Sequence, residues 1–248
     1  METQFIVMDR IGQVALITGA GRGIGRAIAI ALAQQGIQCS LTARTPQGLD
    51  ETAALVREAG GQVHTCTADL TDPTAPERII AETVQHFGRL DILINNAGLL
   101  LVKPFAETTL EEFDALMAVN LRAPFALTKF ALPYLTASPH GEVINISSAA
   151  GKRFYAGQSV YCASKHGLLG LNKVLAAELR ANGIRVHAIC PGGVATEMTI
   201  NQRPDWKPED LMAPEDIAAT VVYLLSLSPR ATVDELPIRR IAADPIWG

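Results

Sequence analysis

Short runs rich in apolar and β-branched residues alternate along the chain with longer stretches whose apolar positions recur every three or four residues. Runs at 14–18, 38–42, 62–67, 92–95, 142–147 and 185–190 read as strands, with a weaker seventh at 235–241. Helical periodicity runs near 23–35, 47–59, 74–87, 109–136, 158–182 and 214–227. Most strand runs are apolar on both faces, the pattern of a parallel sheet covered by helices on each side. Regular alternation of the two element types predicts a doubly wound α/β sheet with right-handed crossovers. Pro237 has no backbone N–H to donate, so the seventh strand is expected at an edge. The stretch 195–213 contains Pro204 and Pro208 and shows no clear element. A loop that long inside a compact domain is expected to be a substrate lid or disordered.

Composition narrows the picture. A length of 248 residues, without repeat, low-complexity segment or linker, is read as one domain over 1–248. The net charge of −4 gives no pull toward nucleic acid or an anionic membrane. No apolar run approaches the length of a membrane span, so none is expected. The opening METQFIVMDRIGQ lacks a basic region followed by an apolar stretch, and is not expected to be a secretory leader. Cys39, Cys66, Cys162 and Cys190 are scattered, as expected of buried reduced thiols in a cytoplasmic protein. The five histidines show no ligand spacing, so no metal site is expected.

Candidate chemistry begins where the first strand meets the first helix. Gly19, Gly23 and Gly25 follow Thr18 in the spacing G-x-x-x-G-x-G. Glycines let a strand turn sharply and let a phosphate approach the backbone. The helix N-terminus behind them offers free N–H groups and a positive dipole end to a pyrophosphate. A plain tight turn is the alternative, and its place in the first βαβ unit favours the nucleotide. In such a unit the second strand ends near the adenosine ribose, where a carboxylate suits NAD and an arginine suits a 2′-phosphate. Here that strand ends at Thr42-Ala43-Arg44-Thr45 with no acid, and Arg22 in the glycine turn could reach the same phosphate. Two guanidiniums without a carboxylate favour NADP(H), with NAD(H) possible. Asp69 and Leu70 follow the third strand, where a carboxylate could accept from the adenine amine or simply cap a turn. Asn96, Ala97 and Gly98 follow Asn95 at the end of the fourth strand, small enough for a cofactor to lie across the sheet.

Tyr161 and Lys165 stand one helical turn apart and share a face, with Ser148 thirteen residues upstream of the tyrosine. A phenol is a poor acid or base at neutrality, and a nearby cation favours the phenolate. A tuned phenol can act as a general acid–base group. A packed ring and a snorkelling ammonium are the ordinary alternative.

Taken in order, T-G-x-x-x-G-I-G, Asn95-Asn96-Ala97-Gly98, Val119-Asn120, Asn145-Ile146-Ser147-Ser148, Tyr161-x-x-x-Lys165 and Pro191-Gly192-Gly193-Val194-Ala195-Thr196 resemble the short-chain dehydrogenase/reductase family. The resemblance spans 12–227 and implies a seven-stranded, mostly parallel Rossmann-type sheet, ordered 3-2-1-4-5-6-7. It implies that Tyr161 is the acid for reduction and the base for oxidation. Lys165 would lower its pKa and hold the nicotinamide ribose, and Ser148 would bind the substrate oxygen. Asn120 would sit at a break in the long fourth helix and hold a relay water. Gly19, Arg22, Gly23, Ile24, Gly25, Arg44, Asp69, Leu70, Asn96, Ala97 and Gly98 would hold the rest of the cofactor. Pro191, Gly192, Val194 and Thr196 would cover the nicotinamide amide and the phosphates.

The activity implied is reduction of a ketone or a 3-oxoacyl thioester by NADPH. NAD-dependent alcohol oxidation and a non-catalytic dinucleotide-binding regulator are the alternatives. Phe154, Tyr155 and Met198 flank the expected site and suggest a partly apolar pocket, with ordinary packing as the equal alternative. Two departures stand out. Ala176-Ala177-Glu178 lacks the basic residue of relatives that dock an acyl carrier, although Lys129 and Lys173 could compensate. Val233-Asp234-Glu235-Leu236-Pro237 replaces a Gly-rich segment. The latter puts the usual tetramer contact in doubt. A homodimer or homotetramer is expected, with helices 109–136 and 158–182 suited to a dimer contact.

Overall fold

The computed structural model describes residues 10–243, so the opening residues read as lacking a leader largely lie outside it. Seven strands form one sheet: β1 (Val14–Thr18), β2 (Gln38–Ala43), β3 (Val63–Thr67), β4 (Ile92–Asn95), β5 (Glu142–Ile146), β6 (Arg185–Pro191) and β7 (Glu235–Ile238). The order is β3-β2-β1-β4-β5-β6-β7, and every pairing is parallel. Eight helices accompany them: α1 (Gly23–Gln34), α2 (Pro46–Glu58), α3 (Ala75–Phe87), α4 (Leu110–Met117), α5 (Ala123–Ala137), α6 (Ser159–Leu179), α7 (Glu197–Gln202) and α8 (Pro214–Ser226).

Alternation within each strand feeds two cores. Ala15, Ile17, Ile92, Ile94 and Ile144 point one way, onto Ile28 and Leu32 of α1 and Val221 and Leu224 of α8. Val14, Leu16, Leu93, Val143 and Val186 point the other way, onto Ile79 and Ile80 of α3 and Leu127, Ala131 and Leu135 of α5. Both strand faces are therefore apolar, because both are covered. Cys39, Cys66, Cys162 and Cys190 are all free and buried.

The structure departs from the hydrophobic pattern in three places. The stretch 109–136 is two helices joined by a π turn, Ala118–Arg122, in which the Ala123 N–H donates to the Ala118 carbonyl. One extra residue in a turn barely disturbs apolar periodicity, so the break is invisible to pattern alone. By length and composition the combined run Leu110–Ala137 could cross a membrane. Half of it is buried in the protein, however, with Leu116, Val119, Leu127 and Leu135 packed inside. The seventh strand stops at Ile238, whose carbonyl accepts from Gly192 N, after which Arg239 bonds the carbonyls of the turn that follows. It is an edge strand, as Pro237 requires. The stretch 195–213 is ordered: it contains α7 and returns to the β6 end, where Val194 bridges Met212 and Ala195 N donates to the Met212 carbonyl at 2.8 Å.

Candidate active site

The carboxyl ends of β1, β4, β5 and β6 converge where the strand order reverses, the usual binding crevice of a doubly wound sheet. Gly19 follows β1 at φ +65°, and a Cβ there would lie 2.9 Å from Ala97 Cα. A Cβ on Gly25 would lie 2.4 Å from the Gly19 carbonyl and 2.6 Å from Asn96 Nδ2. Backbone therefore fills this corner, and no side chain fits. The α1 N-terminus has no side-chain cap and no acid in its first turn, so its N–H groups are open to an anion. This donor set fits a dinucleotide pyrophosphate.

Asn96 braces the turn from below. Its Nδ2 donates to the carbonyls of Thr18 at 2.8 Å and Gly19 at 3.3 Å. Thr18 Oγ1 accepts from the N–H groups of Asn96 and Ala97, both at 3.0 Å, locking the ends of β1 and β4 together. Arg26 adds a further strut: its guanidinium donates to the Gly21 carbonyl at 2.6 Å and to Glu51 at 2.7 Å. Thr18 and Arg26 were not singled out from sequence. Thr18 opens the glycine motif, but the contacts of Arg26 bridge turn and helix in a way no local pattern signals.

The predicted ribose-side residues separate. Arg44 is exposed at the end of β2. Arg22 is drawn the other way, into an ion pair with Glu197 at the start of α7. Asp69 Oδ1 accepts from Thr71 N at 2.9 Å and Thr71 Oγ1 at 2.8 Å, so it shapes a turn. Those bonds, with help from Arg44, hold its carboxyl below the ordinary range. Leu70 is buried in the core, and Ile24 packs against the opposite core. Thr196 caps α7 by accepting from Thr199 N, and its methyl would meet a Cβ on Gly23 at 3.3 Å. Pro191 ends β6, a Cβ built on Gly192 would lie 3.5 Å from Arg239 Cα, and Val194 is buried where the stretch 195–213 begins.

The catalytic candidates meet beside this groove. Lys165 is buried on α6 and its Nζ donates to the Ile146 carbonyl at 2.9 Å. That ammonium stands 5.9 Å from the Tyr161 ring centre. A Cβ on Gly98 would lie 3.7 Å from Lys165 Nζ and 3.5 Å from Asn120 Oδ1, so the three share one wall. Ser147 turns its hydroxyl back to the Lys165 carbonyl. Ser148 Oγ instead accepts from Ala150 N at 3.1 Å and lies close enough to the Tyr161 phenol to favour its ionisation.

Burial pulls Lys165 down to about 8, with Cys190 working against it. Burial raises Tyr161 above the ordinary phenol value, and the nearby Ser148 hydroxyl opposes that rise. This differs from the sequence expectation that the lysine would lower the tyrosine. Its ammonium is held by a backbone carbonyl, while the tyrosine is largely packed in protein with part of it exposed.

Asn120 lies at the π turn, fully buried, at the expected helix break. Its Oδ1 accepts from Leu99 N at 2.8 Å, and its Nδ2 donates to the Leu99 carbonyl at 2.9 Å and to Ser164 Oγ at 3.0 Å. Ser164 Oγ in turn donates to the Tyr161 carbonyl at 2.8 Å. The asparagine side chain is thus spent on tying the loop after β4 to α6. Ser164, missed from sequence, is the link.

Sheet, glycine cradle and the Ser148, Tyr161 and Lys165 cluster together define a dinucleotide-dependent oxidoreductase. A family model for short chain dehydrogenases matches residues 13–207. A 3-oxoacyl-[acyl-carrier-protein] reductase of Thermotoga maritima is 34% identical over 87% of this chain and 91% of its own length. A metagenomic short-chain oxidoreductase crystallised with NADP superposes with a TM-score of 0.83 at 35% identity, covering 95% of this chain and 100% of that one. Carveol dehydrogenase from Mycobacterium avium, crystallised with NAD, gives a TM-score of 0.86 at 28% identity, covering 94% and 98%. The chain belongs to the short-chain dehydrogenase/reductase family, enzymes that act on CH–OH and C=O groups with NAD(P).

Proposed function

We propose that this enzyme reduces a ketone or 3-oxoacyl group with NADPH. The observation that carries the reading is the meeting of Ser148, Tyr161 and Lys165 beside a glycine cradle whose ribose end has Arg44 exposed and no carboxylate on β2, with Arg22 in the glycine turn. The relatives named for 3-oxoacyl reduction and for NADP binding support it.

When bound, the nicotinamide supplies the hydride. The chain's own residues do the rest. Gly19, Gly23, Ile24 and Gly25 would hold the pyrophosphate by backbone, over the floor formed by Asn96, Ala97 and Gly98. Asp69 and Leu70 would line the adenine end. Pro191, Gly192, Val194 and Thr196 would close over the nicotinamide. Ser148 and Tyr161 would donate hydrogen bonds to the carbonyl oxygen, where negative charge grows, and Tyr161 would release its proton to it. Donors aimed at a developing oxyanion act mainly in the transition state. A phenol raised by burial is protonated at neutral pH, the form that reduction needs. Lys165, still mostly an ammonium at pH 7, would hold ribose hydroxyls. Asn120 would hold a relay water through its backbone, since its amide is already bonded.

The chain is read as one domain over 1–248 with 195–213 as its lid, and the bond from Val102 N to Gln202 Oε1 supports the lid. A homodimer is proposed through α4, α5 and α6, where Phe113 and Phe125 are exposed and Met117, Leu121 and Leu171 line a groove. A homotetramer built on that dimer is the larger form proposed. A cytoplasmic location is proposed with the four free cysteines as support.

One observation favours NAD-dependent alcohol oxidation instead: Glu197 already holds Arg22. Binding titrations followed by nicotinamide fluorescence separate the readings. Preference for NADPH, with turnover of ketones or 3-oxoacyl thioesters, supports reduction. Preference for NADH moves alcohol oxidation to the front.

A further inference from the structure

We propose that Glu197 is a specificity-determining residue that competes with the cofactor's 2′-phosphate for Arg22. This rests on the 2′-phosphate reading of Arg22 given above.

Arg22 is the residue before α1, in extended conformation, and its side chain leaves the glycine turn without capping the helix. Its Nη1 donates to Glu197 Oε2, the first residue of α7, 175 positions along the chain. The two side chains are 61% and 56% exposed, so the pair sits at the mouth of the groove and a ligand can reach both. The methyl of Thr196, next to Glu197, stands 3.3 Å from a Cβ built on Gly23. The ion pair therefore ties the lid to the cradle directly above the α1 N-terminus.

A guanidinium favours planar, bidentate anions, and both a carboxylate and a phosphate monoester qualify. The phosphate carries the greater charge, but it meets an Arg22 already neutralised and a second anion close by. Arg44, on the far side, has no ion pair within 4 Å among the described residues, so it remains available. NAD(H) makes no demand on Arg22 and leaves the Glu197 tie intact. NADP(H) must break it. Glu197 thus narrows the preference that Arg22 and Arg44 create, and it links lid closure to the kind of cofactor beneath.

An exposed ion pair is weak, so the expected effect is about three- to tenfold in affinity. The experiment measures dissociation constants for NADPH and NADH by nicotinamide fluorescence in four proteins: wild type, Glu197→Gln, Arg22→Ala and the double variant. Melting temperatures confirm folding. Glu197→Gln should tighten NADPH and leave NADH within about twofold, and the gain should vanish in the Arg22→Ala background. Glu197→Asp, which keeps the charge, should behave as wild type. Equal change for both cofactors, no change for either, or the same gain without Arg22 would overturn the role of Glu197. If Arg22→Ala leaves NADPH binding unaltered, the 2′-phosphate reading fails as well, and the two failures are thereby told apart.

Discussion

Tyr161 is the proposed proton donor, and its surroundings set its pH behaviour. Burial raises the phenol, and only the nearby Ser148 hydroxyl opposes that. Reduction needs the protonated form. Its rate should hold across neutrality and fall as pH rises through the raised phenol pKa, while oxidation should rise over the same range. Measuring kcat/KM in both directions against pH checks the sign; a reduction rate that climbs with pH would contradict it. Tyr161→Phe should lower kcat by about 10²–10⁴ with cofactor affinity kept, since the lost group is a proton donor. Unchanged turnover would remove Tyr161 from the mechanism. The i, i+4 pair with Lys165 was plain in the sequence. The link through Asn120 and Ser164 was not, because its members sit 44 residues apart and meet only when α6 packs on the π turn.

At the scale of elements, the turn between β1 and α1 is tightly constrained. The glycine spacing was legible, but the reason for Gly25 was not: a Cβ there would enter the Gly19 carbonyl and the Asn96 amide. Those atoms belong to the turn's own backbone and to the far side of the β4 strand end. Gly25→Ala should weaken binding of both NADPH and NADH at least tenfold and lower stability by about 1–3 kcal/mol, as overpacking does. Titration and thermal melts test this, and an alanine with wild-type affinity would show that the turn can yield. The stretch 195–213 tells a similar story. Two prolines made 195–213 look irregular. The structure gives it a helix and pins its ends at Val194 and Met212. Trp206 then lies between Arg203 and Arg240, whose guanidinium carbons are 4.4 and 4.3 Å from its ring centre. A Cβ on Gly193 would strike that indole at 2.6 Å, so this glycine makes room for Trp206.

Across the whole molecule, the end of the sheet opposite the active site is held by a buried charge cluster. Glu142, fully buried at the start of β5, meets Arg10 at 2.5 Å, Arg185 at 2.6 Å and His187 at 3.3 Å. Arg10 also donates to the Leu225 carbonyl, joining α8 to the cluster. Burial alone would raise the Glu142 carboxyl, but His187, Arg10 and Arg185 outweigh it and hold the carboxyl below 4.5. A depressed carboxyl stabilises the fold fully above its unfolded value. Stability should therefore be intact at pH 7 and decline as pH falls from 4.5 through the lower folded value. Glu142→Gln should cost about 3–5 kcal/mol at pH 7, because it strands buried cations, and should flatten the acid dependence. Denaturant unfolding at neutral and acid pH measures both effects, and a neutral cost below 1 kcal/mol would show that solvent reaches the cluster.

What the sequence determined by itself is local or repetitive. Periodicity set the strand and helix succession, alternating apolar faces implied a covered parallel sheet, and Pro237 implied an edge. Motif spacing brought Ser148, Tyr161 and Lys165 into one account, because their separations follow from a strand end and a single helix face. What only the tertiary structure decided is which groups those residues spend their bonds on. The Asn120 amide is used up by Leu99 and Ser164, while Lys165 gives one N–H to the Ile146 carbonyl and Arg22 gives its Nη1 to Glu197. Each of these depends on contacts between elements far apart in sequence. Burial and hydrogen bonding are properties of the packed assembly, and they set the protonation of Tyr161 and Lys165, which no spacing encodes.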